Sequence, residues 1–399
     1  MSLTISAKCK NIHPSVTLAI DSRAKQLRAM GLDVIGFGAG EPDFDTPKYI
    51  KDAARDALDA GMTKYTPVAG TVELRTEIQA KLMRDNHLEY ELTDIIVGTG
   101  AKQCLFNALS AIIDPGDEVL IPSPCWVSYP EMVTMVGGVP ICVNGKEEDL
   151  FLVSADALRP YITEKTKAII INSPNNPTGC VYPREMLKGI ADLAVEKELF
   201  VISDEIYEKL IYDGGKHVSI ASLGEDIKAQ TIVINGVSKS YAMTGWRIGY
   251  AAGPKNVIKA MTSFQSHSTS NPNSIAQHAA AVALTNGERF MYESLMEFTA
   301  RRNMMHSLLN SIPGLSCTMP KGAFYIMLNI SNVIGKSING RTINGSDDFA
   351  EALLESHLVA VVPARAFGDD RFVRLSYATS REKIAVGMGR IADFINECQ

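Results

Sequence analysis

The sequence predicts an α/β protein: a large domain with a mostly parallel seven-stranded sheet covered by helices, plus a smaller α/β domain. Seven short apolar runs rich in β-branched residues, IIVG, EVLIP, GVPICV, KAIIIN, LFVIS, TIVIN and RIGYAA, fall between residues 95 and 252. Segments with helical periodicity, such as REMLKGIADLAVEKE, separate them. Strands buried on both faces read as continuous apolar runs, and their alternation with helices is the pattern of parallel crossover units. After residue 290 the pattern changes. A long helical stretch, ERFMYESLMEFTARRNMMHSLLNSI, leads to shorter strands at AFYIMLNI, LVAVVP and FVRLSYA and a closing helix, REKIAVGMGRIADFIN.

Along the chain, chemistry-bearing residues gather where strands end. TDIIVGTGAKQCLFNALSAII (residues 93–113) is a short strand, a glycine turn and an amphipathic helix. The helix start near Gly100, Ala101 and Lys102 offers free N–H groups and a favourable dipole to an anion, although a plain strand-to-helix turn has the same pattern. NSPNNPTG (residues 172–179) follows the strand KAIIIN, and its prolines and asparagines make a rigid loop. There Asn176 is able to donate to a ligand oxygen or simply to form a turn. LFVIS ends in Asp204. Ligands of open α/β sheets bind at the carboxyl ends of strands, and a carboxylate buried there costs desolvation unless a cation partners it. In INGVSKSYAMTGWRIGY (residues 234–250), Lys239 follows an apolar strand among Gly236, Ser238 and Ser240, with Arg247 beyond. A desolvated amine near a second cation is depressed in pKa and becomes nucleophilic, as Schiff-base chemistry requires.

Taken together, these motifs resemble the class I aminotransferases of the fold type I pyridoxal-phosphate enzymes. The resemblance runs from GAGEPDFDTP (residues 38–47) to RFVRLSYATS (residues 371–380), in the family's order and spacing, and is strongest to the bacterial branch of aspartate aminotransferases. It implies pyridoxal 5'-phosphate as cofactor and Lys239 as the lysine that carries it as an internal aldimine and shuttles the proton. Asp204 would pair with the pyridinium nitrogen, and Tyr207 and Asn176 would hold the phenolic oxygen. The phosphate would be held by Gly100, Ala101, Lys102, Ser238 and Arg247. Tyr65, in KYTPVAG, would reach it from the neighbouring subunit of a homodimer with shared active sites. Trp126 would stack on the ring; a core or interface tryptophan fits the composition equally well. The histidine that supports the cofactor aspartate in animal-type relatives falls near Tyr129, so a tyrosine hydroxyl or a water would take that role.

For the substrate, the resemblance implies Arg374 as the clamp on the α-carboxylate, where a guanidinium fork suits a bidentate pair. Gly40 would let the backbone approach the same group, and Trp126 and Asn176 would also contact the substrate. Nearby Arg371 is expected to be a solvated surface charge. Animal-type enzymes take the distal carboxylate with a partner-subunit arginine, where this chain has Ser266. The bacterial branch uses a lysine beside the phosphate loop and hydroxyls near the N-terminus, matched here by Lys102, Ser15 and Thr17. The implied activity is L-aspartate:2-oxoglutarate amino transfer by a ping-pong mechanism. The alternatives are an aminotransferase for aromatic amino acids, alanine or prephenate, or a carbon–sulfur lyase of the same fold. A cofactor-sensing regulator would carry an N-terminal DNA-binding domain, whereas about a dozen residues precede the first family-like segment here. The family's organisation implies an N-terminal segment (1–46) packing with the small domain (291–399) around a large cofactor-binding domain (47–290).

Composition agrees. The formal charge of −6 comes from intermixed acidic and basic residues, with no basic run for nucleic acid and no basic amphipathic segment for a membrane surface. Seven scattered cysteines without a CxxC pair or Cys/His cluster argue against a disulfide framework or zinc site, and no metal is expected. Cys398 is expected to be an exposed thiol. His267, His278 and His306 show no metal spacing and are expected to be packing or surface groups. The N-terminus lacks the apolar core of a signal peptide, and the longest uncharged stretch, residues 260–287, is too polar to span a membrane. A cytoplasmic protein is expected.

Overall fold

The computed structural model describes residues 3–10, 12–14 and 16–399, without the side chains of residues 7, 8, 16–18 and 21. A first strand, Ile35–Gly36 (β1), lies outside the large sheet. That sheet comprises Ile95–Gly98 (β2), Glu118–Ser123 (β3), Val139–Asn144 (β4), Thr166–Asn172 (β5), Phe200–Asp204 (β6), Thr231–Gly236 (β7) and Gly249–Ala252 (β8). Its order is β2-β8-β7-β6-β5-β3-β4. Only β8 runs against its neighbours; the other pairs are parallel. The run RIGYAA is therefore a strand only from Gly249, because Arg247 before it takes the left-handed conformation, with φ of 57°.

Successive strand residues face opposite sides, and both sides are apolar. Ile95 and Val97 pack with helices Val72–Asn86 and Ser274–Asn286. Ile96 packs on the other face with helices Ala101–Ile112 and Lys255–Ser268. All three are 0 % exposed, and each such burial stabilises by roughly 1.5–3 kcal/mol. Parallel strands need crossovers, and helix Arg184–Glu196 supplies the one from β5 to β6. The consequence for function is registration: Asn172 pairs with Asp204 at the carboxyl ends of β5 and β6, and Asp204 with Ile234 on β7.

Helix Glu288–Asn310 leads to a second layer. Its strands are Ser316–Cys317 (β9), Tyr325–Asn329 (β10), a small hairpin of Ser337–Ile338 (β11) and Arg341–Thr342 (β12), Val359–Ala360 (β13), Val362–Pro363 (β14) and Phe372–Ser376 (β15). An antiparallel sheet forms in the order β14-β15-β10-β9. The run LVAVVP is not one strand. It splits at Val361, so that β13 pairs with β1 while β14 pairs with β15. The first of these pairings ties residues 35–36 to this layer, and the Ser376 N–H donates to the Phe37 carbonyl at 2.8 Å. Cys398 is buried rather than exposed. The terminal residue exchanges backbone hydrogen bonds with Ser337, and helix Arg381–Glu397 brings Cys398 into the apolar core. Among the described residues, no helix is long and apolar enough to cross a membrane.

Candidate active site

Lys239 follows the end of β7 and so meets Asn172 and Asp204 at one edge of the sheet. Of the residues the sequence nominates, Gly40, Ala101, Lys102, Trp126, Asn176, Asp204, Tyr207, Ser238, Lys239, Arg247 and Arg374 line a single cavity of about 520 Å³. Asp204 is 3 % exposed. Its carboxylate accepts the Tyr129 hydroxyl at 2.7 Å and the Ile206 N–H at 3.2 Å. Burial pushes its pKa up to about 6, against the pull of those two hydrogen bonds. The partner of Asp204 is thus the tyrosine hydroxyl, itself held edge-on to Trp126 with ring centroids 5.3 Å apart.

The Lys239 ammonium donates to the Gly40 carbonyl at 2.6 Å. Burial brings its pKa down to about 8, aided by Arg247 and opposed by Glu41. A lysine in this state has an appreciable neutral fraction near pH 7.5, the property a nucleophilic amine needs.

One end of the cavity is the start of helix Ala101–Ile112. Gly100 precedes it with φ of 82°, in a region side chains avoid, and a Cβ there would run into the Arg247 guanidinium. A Cβ on Gly249 would strike the Ala101 nitrogen. The glycines thus let the backbone and Arg247 close around one small space. The Arg247 guanidinium donates to the Thr244 carbonyl at 2.8 Å. First-turn N–H groups, the helix dipole and a guanidinium together make an anion site.

Arg374, on β15, forms the opposite end and is 1 % exposed. Its Nη1 donates to Asn176 Oδ1 at 3.0 Å and its Nη2 to the Gly38 carbonyl at 2.8 Å. The guanidinium lies 4.4 Å from the Tyr325 ring centroid. Nε is buried with no partner. A buried cation served only by neutral acceptors is costly unless an anion joins it. Arg371, three residues earlier, is exposed and pairs with Asp369 at 2.7 Å.

Tyr65 is 91 % exposed and lies outside this cavity. Ser15 lies outside the described residues, as does the side chain of Thr17. Sequence reasoning missed Tyr325, whose hydroxyl is 2.9 Å from that of Tyr207, and Asn172, which bonds both the Asp204 carbonyl and the Asn176 N–H. It also missed a buried layer behind Asp204, where Glu205 accepts from Ser203, Ser219 and His217. Glu205, Glu208 and His217 stand close enough to share a cation, but the Lys81 ammonium already pairs with Glu208.

These residues fit pyridoxal phosphate. The cavity offers an anion site at a helix start, a buried carboxylate to face a ring cation, and a lysine of lowered pKa, with an unmatched guanidinium left for a substrate. Comparison with known proteins bears on the same point. The family model "Aminotransferase class I and II" matches residues 32–391. The aspartate aminotransferase of Geobacillus stearothermophilus is 49% identical over 393 residues, 98% of this chain and 99% of that protein. A probable aspartate/prephenate aminotransferase of Aquifex aeolicus is 47% identical over 98% of this chain and 99% of its own. The crystal structure of the aspartate aminotransferase from Rhizobium meliloti superposes with a TM-score of 0.96 at 42% identity, covering 100% of both chains. The chain belongs to the class I and II aminotransferases and is a pyridoxal-phosphate-dependent enzyme.

Proposed function

We propose that this aminotransferase passes the amino group of L-aspartate to 2-oxoglutarate by a ping-pong mechanism, donor and acceptor taking turns in one cavity. The observation that carries the reading is Lys102, a further cation in the cavity that holds Lys239, Arg247 and Arg374. Lys102 Nζ lies 4.6 Å from the Trp126 ring centroid and donates to Ser128 Oγ at 3.3 Å. Burial and the nearby Arg247 pull the Lys102 pKa down, so a second carboxylate beside it restores the charge balance. Aspartate and 2-oxoglutarate both bring two carboxylates. Ser15 and Thr17, whose side chains lie outside the described residues, would add hydroxyls to the same carboxylate, as the resemblance to the bacterial branch implies. The names of the relatives support the same donor.

Pyridoxal phosphate, when bound, supplies an electron sink for the charge left as the substrate Cα loses its proton. The chain's residues do the rest. Gly100, Ala101, Lys102, Ser238 and Arg247 would hold the phosphate, joined by Tyr65 of a second subunit. Asp204 would keep the ring nitrogen protonated, while Tyr207 and Asn176 hold the phenolic oxygen and Trp126 covers the ring. Arg374 and the Gly40 backbone orient the α-carboxylate. Lys239 takes the proton from Cα, which its pKa of about 8 permits near neutral pH. The exposed Tyr65 supports a homodimer with shared sites. Unit boundaries near residues 46 and 290 and a cytoplasmic setting complete the proposal; the latter is supported by seven free cysteines.

The Aquifex aeolicus relative's name favours prephenate, also a dicarboxylate, as a second substrate. The test is Lys102→Ala, with kcat/KM measured for aspartate, alanine and phenylalanine. Loss of one charge-assisted contact, roughly 1.5–3 kcal/mol, lowers kcat/KM for aspartate about 10- to 150-fold and leaves alanine nearly unchanged. Equal effects on both donors would overturn the assignment.

A further inference from the structure

The Tyr325 side chain touches two working groups of the cavity at once. Its ring centroid lies 4.4 Å from the Arg374 guanidinium, and its hydroxyl is 2.9 Å from that of Tyr207. Strand register explains the first contact. Met327 on β10 stands opposite Arg374 on β15, so Tyr325 is a diagonal neighbour of Arg374 on the same face of the sheet. The second contact is edge-on, with the Tyr207 and Tyr325 rings at 83° and their centroids 5.9 Å apart. Tyr325 is 0 % exposed. The backbone that leads into β10 is pinned to both segments that would hold the phenolic oxygen. The Lys321 and Gly322 N–H groups donate to the Gly179 carbonyl, each at 2.9 Å, in the loop that carries Asn176. The Ala323 N–H donates at 2.9 Å to the carbonyl of Leu210, three residues after Tyr207. Ala323 itself takes φ of 55°, and its carbonyl accepts the Tyr212 and Tyr377 hydroxyls. A residue other than glycine keeps that conformation only where its surroundings over-determine it. The Tyr325 hydroxyl is therefore fixed in place beside Tyr207.

We propose that Tyr325 is a positioning residue, which points the single proton of the Tyr207 hydroxyl at the cofactor's phenolic oxygen. The inference rests on the placing of Tyr207 at that oxygen. A tyrosine hydroxyl has one proton to give and can accept from another donor. Of two facing hydroxyls, one donates and the other accepts. A phenolate is a charged acceptor and makes the stronger bond, so it takes the Tyr207 proton. The Tyr207 oxygen is then left to accept, and the Tyr325 hydroxyl is the donor within reach. The two hydrogen bonds run in one direction, and each polarises the next. Removing the Tyr325 hydroxyl makes Tyr207 the weaker donor and lets its hydroxyl turn. The Tyr325 ring, which packs on Arg374, has a separate part in supporting the carboxylate clamp.

The experiment titrates the visible absorbance of the resting holoenzyme against pH, with no substrate present. It compares the parent with Tyr325→Phe, Tyr207→Phe and the double variant. A donor at the phenolic oxygen favours its anionic form, so weakening that donor moves the absorbance midpoint to higher pH. The result expected is a rise of roughly 0.5–1 unit in Tyr325→Phe, the worth of about one hydrogen bond. Tyr207→Phe raises the midpoint further, and adding Tyr325→Phe to it changes nothing more. Equilibrium titration of the cofactor-free Tyr325→Phe protein shows pyridoxal phosphate bound about 3- to 10-fold more weakly. Phenylalanine keeps the ring on Arg374, so KM for the amino donor stays within about twofold of the parent's. A midpoint moved by Tyr207→Phe but not by Tyr325→Phe would overturn the inference and leave Tyr207 where it is placed. So would a Tyr325→Phe shift that persists undiminished in the double variant, since Tyr325 would then act by some route other than Tyr207. A midpoint unmoved by Tyr207→Phe would overturn the placing of Tyr207 and the inference with it.

Discussion

Replacing Asp204 with asparagine is expected to stabilise the protein without cofactor while crippling the enzyme. In the cavity the carboxylate is buried and its pKa is raised from the ordinary 3.8 to about 6. An acid whose folded pKa is raised binds more protons folded than unfolded, so stability is lost as pH climbs between those two values. The difference of roughly 2 units corresponds to about 3 kcal/mol of destabilisation once pH exceeds about 7, and to about half of that at pH 5. Asparagine has the same shape and carries no charge; it still accepts from Tyr129 but gives up the acceptor of the Ile206 N–H, a loss of about 1 kcal/mol. The cofactor-free variant should therefore melt higher than the parent, by about 2 °C at pH 7.5 for a chain of this size, with a smaller gain at pH 5. The same variant with cofactor should turn over at least ~10²-fold more slowly, because the charge facing the ring nitrogen is gone. Calorimetry of the cofactor-free proteins from pH 5 to 8, beside steady-state kinetics, checks both halves. A gain that does not grow with pH, or a variant less stable than the parent at pH 7.5, would refute the account of Asp204.

Three further outcomes are expected. The rate at which pyridoxal phosphate recombines with cofactor-free enzyme should rise with pH through about 8, since Lys239 reacts only as the neutral amine; stopped-flow absorbance showing a flat profile from pH 6.5 to 9.5 contradicts this. Arg374→Lys loses the fork that binds a carboxylate bidentately, so KM for both substrates should rise about 10- to 100-fold, or 1.4–2.8 kcal/mol, in steady-state kinetics. Gly100→Ala sets a side chain at φ of 82° against Arg247; equilibrium titration should show cofactor affinity weakened at least ~10-fold, with a stability cost of about 1 kcal/mol or more.

The strands and their carboxyl-end residues were legible because full burial leaves a plain mark: β2, β5, β6 and β7 each carry an unbroken apolar run, IIV, AIII, FVI and IVI. Asp204 stood out because it ends such a run with a charge, and Lys239 because it stands among small residues just after one. The reversed direction of β8 was not legible, since direction is set by the loop before it and not by its own composition. Tyr325 and Asn172 were missed for a related reason. A tyrosine in an apolar strand and an asparagine at a strand end look like ordinary packing and turn residues, and their roles come from long-range contacts with Tyr207 and Asp204. Cys398 misled because closeness to a terminus suggests exposure, whereas the last residues are hydrogen-bonded to β11. The His217–Glu205 pair joins groups twelve residues apart across a loop, which no periodicity reveals.

The most direct test is the visible absorbance of the holoenzyme, recorded as L-aspartate is added with no oxo acid present. The account predicts a band from lysine-bound cofactor that gives way to absorption at shorter wavelength as the amino group is transferred, and no such band in Lys239→Ala. A band that ignores aspartate, or that persists unchanged in Lys239→Ala, would contradict it.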